Sequence, residues 1–82
     1  MPPRHMADMA DEHYEIFASY FRCGDGRYAG KLRVVRKHDR KLIFPFDGAP
    51  QIGPCETPDD ARRAALEYGI ELVAADRAAP EP

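Results

Sequence analysis

Eighty-two residues with 44% hydrophobic and 32% charged side chains and a formal net charge of -2 read as one small soluble globular domain. That length excludes a second domain, no apolar run approaches the roughly 20 residues that span a bilayer, and the two cysteines are too few for a disulfide framework. Charge is unevenly spread: residues 21–45 carry eight bases against two acids, whereas residues 1–20 carry one against four and residues 46–82 three against eight.

The opening "MPPRHMADMADEH" has no apolar core between its charged residues, so it is not read as a secretory signal. A cytoplasmic setting with Cys23 and Cys55 as free thiols is the default expectation. Residues 1–12 are polar, without periodicity, and include Pro2 and Pro3, and are expected to be disordered. The domain itself is expected over 13–76, with 77–82 as a disordered tail.

From Tyr14 the chain becomes "YEIFASYFR", rich in aromatic and β-branched residues, and predicts a first strand. Alternation places Tyr14, Ile16, Ala18 and Tyr20 on one face and Glu15, Phe17, Ser19 and Phe21 on the other. "CGDGR" supplies the glycines of a hairpin turn. "YAGKLRVVRK" predicts a second strand, with Tyr28, Gly30, Leu32 and Val34 inward and Lys31, Arg33, Val35 and Lys37 outward. His38-Asp39 marks the next turn. "KLIFPF", Lys41 to Phe46, is a third strand with Leu42, Phe44 and Phe46 as its inward set, and Pro45, which has no amide hydrogen, places it at an edge.

"DGAPQIGPCET" over 47–57 has two glycines and two prolines and reads as a long irregular loop. A helix then opens with Thr57 as N-cap, Pro58 at the first position, and Asp59 and Asp60 at the positive end of the dipole. Within it Ala61, Ala65, Tyr68 and Leu72 form one stripe and Leu66, Ile70 and Val73 a second. Gly69 inside this pattern costs about 1 kcal/mol against alanine and predicts a bend or an early stop.

These elements predict an α+β domain: a three-stranded antiparallel sheet in order 1-2-3 with one C-terminal helix packed on one face (βββα). The expected core is Tyr14, Ile16, Ala18, Tyr20, Leu32, Val34, Ala61, Ala65, Tyr68 and Leu72, with Leu42, Phe44 and Phe46 from the third strand.

The inventory for chemistry is thin, with one serine, Ser19, and one threonine already assigned to a cap. His13 and His38 have no carboxylate or cysteine at metal-binding spacing. "GDG" lies between strands rather than ahead of a helix, and Asp59 and Asp60 would repel a phosphate at the one helix start. No enzyme activity, cofactor, metal or membrane partner is therefore expected. Cys23 and Cys55 fall at one end of the predicted sheet, where two unrelated thiols are favoured over a redox pair.

The remaining surface is the sheet face away from the helix, where Phe17, Phe21 and Val35 lie beside Lys31, Arg33 and Lys37. Three readings fit this pattern. One is a protein-interaction or self-association surface with apolar anchors and a basic rim. Another is a nucleic-acid surface in which rings stack bases and cations track phosphates, disfavoured by the net negative charge. The third is a solvated outer face with its rings covered by the chain itself or by a second copy.

Together "YEIFASYF", "GRYAGKLRVVRK", "FPFD" and "ETPDDARRAALEYGIEL" resemble a group of small uncharacterised proteobacterial single-domain proteins, three strands followed by a helix. The matching positions are Tyr14, Tyr28, Thr57, Ala61 and Gly69, all scaffold positions, so the resemblance implies a fold and no activity. The order of elements is also loosely similar to three-strand-plus-helix DNA-binding modules. That likeness would put Lys31, Arg33 and Lys37 on a groove-reading face, but the acidic balance, the long loop and the lack of tryptophan depart from it.

Overall fold

The structure, a computed structural model, describes residues 9–10 and 13–79, and the side chains of 13–79. In chain order it contains β1 (Met9–Ala10), β2 (Tyr14–Arg22), β3 (Tyr28–Arg36), β4 (Lys41–Phe44), β5 (Ile52–Cys55) and α1 (Pro58–Ala78). All strand pairs are antiparallel, in the order β1-β2-β3-β4, with β5 on β3 as well. The predicted α+β class, the order of the three main strands and the helix on one face are all present.

The β2–β3 hairpin is the backbone of the fold, with register running from Tyr14↔Arg36 to Arg22↔Tyr28. Its turn closes where the Cys23 N–H donates to the Arg27 carbonyl at 2.7 Å and the Arg27 N–H to Asp25 Oδ1 at 3.1 Å. Gly26, at φ 83°, takes the left-handed conformation that this turn needs.

The other side of β3 is shared. β4 pairs with its C-terminal half through Val34↔Phe44, Val35↔Leu42 and Arg36↔Lys41, with a register shift between Val34 and Val35. β5 pairs with its N-terminal half through Tyr28↔Cys55 and Gly30↔Ile52.

β5 corrects the irregular loop expected over 47–57. Gly53 and Pro54 read as breakers, but this strand lies at an edge, where a missing N–H leaves no ladder bond unmade. Gly53, at φ 101°, takes a backbone angle that few other residues adopt. The third predicted strand ends at Phe44 rather than Phe46. The expected disordered segment 1–12 lies outside the described residues except for Met9–Ala10, which pair with Ile16 and Glu15. The helix continues through Arg77 and Ala78 into the expected tail, of which 80–82 lie outside the described residues.

α1 starts as its residues dictate. Thr57 Oγ1 accepts from the Asp60 N–H at 3.1 Å, Pro58 follows, and Asp59 and Asp60 occupy the first turn. Its buried stripe is Ala61, Ala65, Gly69, Val73 and Asp76. This stripe merges parts of both predicted ones; Tyr68 and Leu72 are half-buried at its margin, and Ile70 is exposed.

Gly69 neither bends nor stops the helix. It lies where helix and sheet come closest: a Cβ there would stand 2.8 Å from Ile16 Cγ2 and 3.0 Å from Leu32 Cδ1. Gly30 does the same from the sheet side, where a Cβ would stand 2.8 Å from the Ala61 carbonyl oxygen. Two missing side chains thus let α1 settle on β2 and β3.

Tyr14, Ile16, Ala18, Leu32, Val34, Phe44, Ala65 and Val73 form the buried core cluster. Of the expected members outside it, Ala61 is fully buried, Tyr68 and Leu72 pack against it half-buried, and Tyr20, Leu42 and Phe46 are exposed. Helix cover on β2 ends between Ala18 and Tyr20, leaving Tyr20 exposed edge-on to Tyr28 with ring centroids 5.8 Å apart. Leu42 and Phe46 are exposed because Phe44 takes the inward position opposite Val34 and pairing stops there. The whole measures 39 × 37 × 17 Å, a thin direction that holds one sheet and one helix.

Candidate functional site

Alternation along β2 and β3 turns Ile16, Ala18, Leu32 and Val34 to the helix, so Glu15, Phe17, Ser19 and Phe21, with Ala29, Lys31, Arg33 and Val35, belong to the far face. Cross-strand register sets Phe17 beside Arg33, Ser19 beside Lys31 and Glu15 beside Val35, and the β4 pairing adds Leu42 beside Val35. Phe17, Phe21, Lys31 and Arg33 therefore share the expected face, with Lys31 and Arg33 exposed and Phe21 48% exposed.

Two expected members depart. Val35 is only 7% exposed, so its side chain is not an available anchor. Lys37 lies past the end of β3, in the turn, half-buried, with its N–H donating to the His13 carbonyl at 2.8 Å. The basic row thus reduces to Lys31 and Arg33. Arg33 in turn holds its guanidinium over the Phe17 ring, 5.4 Å from the centroid.

A second constellation escaped the sequence reading. Arg36, 4% exposed, and Asp76, 7% exposed, are buried charges from the end of β3 and the late part of α1. Arg36 Nη1 donates to both Asp76 oxygens at 3.2 Å, its Nε to Asp39 Oδ1 at 3.1 Å, and its Nη2 to Asp39 Oδ2 at 2.7 Å. The Tyr14 hydroxyl donates to Asp76 Oδ2, and Arg77 lies over the Tyr14 ring at 5.2 Å.

Its electrostatics follow from this geometry. Hydrogen bonds from Arg36 hold the Asp39 carboxyl well below the usual carboxylate range, against the opposing effect of burial. The Arg36 guanidinium is pushed up, chiefly by its bonds to Asp39. Burial first, and then donation to Asp76, push the Tyr14 phenol above its ordinary 10.0. A signal for this network was present: period two puts Arg36 in line with Leu32 and Val34, and Asp76 falls on the stripe of Ala61, Ala65, Gly69 and Val73. An inward arginine and an inward aspartate at matching ends of two packed elements call for each other.

Between β4 and the end of α1 lies a groove of about 360 Å³, lined by Leu42, Ile43, Phe46, Leu72, Ala75 and Ala79 with Lys41 and Asp76. Cys23 and Cys55 are free thiols. Arg22, next to Cys23, and Cys55 both register with Tyr28, from opposite sides of β3. Two strand spacings of about 4.8 Å set β2 and β5 farther apart than the roughly 7 Å that a disulfide bridges. Among the described residues no three His, Cys, Asp or Glu side chains gather as metal ligands, and no helix is long and apolar enough to cross a membrane.

No curated protein and no solved structure matches the chain. A family model covers it almost from end to end, including every strand and the helix described above. Over residues 9–81 the chain matches, and therefore belongs to, the family of unknown function DUF6723.

Proposed function

We propose that this domain is a non-enzymatic interaction module that associates with a second copy of itself through the outer face of its sheet. The observation that carries the reading is the presence there of two half-exposed apolar side chains, Phe21 at 48% and Leu42 at 46%. The face also suits an isologous contact, because Glu15 and Lys31 stand on it at different heights, so a two-fold rotation can set each against the other in the partner copy. Phe21 and Leu42 serve as anchors and Lys31 and Arg33 as the rim. Phe17, under the Arg33 guanidinium, contributes as a ring already stacked.

A nucleic-acid reading draws support from the adjacent exposed cations Lys31 and Arg33. Against it, Lys37 is not in their row and the Phe17 ring is occupied by Arg33. If three phosphates were contacted, log affinity would fall against log salt with a slope of about -2 to -3. An anisotropy titration with generic single- and double-stranded DNA and RNA reads that slope directly.

Sedimentation of the wild-type chain and of Phe21→Glu tests the main reading. A wild-type dimer that Phe21→Glu converts to monomer without loss of fold supports it. Equal association of the two proteins, or a wild-type monomer at every concentration, removes it.

A further inference from the structure

We draw no further inference here: the strongest candidate, the apolar groove of about 360 Å³ between β4 and the end of α1, is walled by Ile43, Phe46 and Leu72, and nothing in the structure shows what covers it.

Discussion

Arg36 and Asp76, forty residues apart in sequence, meet at 3.2 Å with both side chains 5% accessible, joining the end of β3 to the last turns of α1. Two charges removed from water are tolerated only when each is paired and hydrogen-bonded. Here Tyr14 and Asp39 complete the set, and no buried side-chain nitrogen or oxygen among the described residues lacks a partner. The network holds the helix to the sheet at the end where the Ala–Gly contacts of its first half give way to larger side chains.

Removing Asp76 takes away the acceptor of the Tyr14 hydroxyl and one of the two carboxylates that hold the buried Arg36. Asp76→Ala is expected to cost about 3 kcal/mol, which for a domain of this size lowers the thermal midpoint by about 15 °C. Urea and thermal unfolding measure it; a change within about 0.5 kcal/mol would show the pair to be dispensable.

Acid should act through Asp39. Its folded-state pKa lies below the ordinary 3.8, so between the two values the unfolded chain binds more protons than the folded one, and stability falls as pH falls. The contribution is complete above about pH 5 and is lost as pH drops through the folded value. Tyr14 works in the opposite direction, its folded pKa lying above 10.0, so its contribution is present below that pH and is lost above it. Urea midpoints across pH should show a plateau between these limits, with the acid slope flattened in Asp39→Asn.

Helix propensity alone predicts that Gly69→Ala stabilises by about 1 kcal/mol. The 2.8 Å approach to Ile16 Cγ2 predicts the reverse, because overpacking a core costs about 1–3 kcal/mol. Net destabilisation of about 1 kcal/mol is expected. Gly24→Ala, with nothing within 4 Å of the added methyl, should be neutral. A stabilised Gly69→Ala protein would contradict the packing described here.

Arg40 is exposed in the turn after β3 at φ 60°, a conformation that costs a residue with a Cβ about 1–2 kcal/mol. Glycine avoids that cost but loses more freedom on folding, about 0.5–1 kcal/mol. Arg40→Gly should therefore raise the urea midpoint slightly, by about 0.5 kcal/mol in stability.

The parts of this fold that depend on local rules were legible in the residues. Alternation from Tyr14 to Ala18 and from Leu32 to Val34 gave the inner face, and Thr57-Pro58 gave the helix start. What escaped depends on neighbours distant in sequence. Gly53-Pro54 reads as a break until the edge of β3 offers it a place, and Gly69 reads as a fault until Ile16 is known to lie beneath it. Arg36 was hidden in a run of bases whose other members reach water. The same alternation puts Phe17, Phe21, Lys31 and Arg33 on the outer face. Val35 was misjudged because alternation assigns a side and not an exposure.

Intermolecular NOEs in a mixed sample of carbon-13-labelled and unlabelled chain, at about 1 mM, test the self-association reading most directly. Contacts from the Phe21 ring to Leu42 and Lys31 of the other copy are predicted. A sample with no intermolecular contact at the outer face, or with contacts only around Ile43 and Leu72, would contradict it.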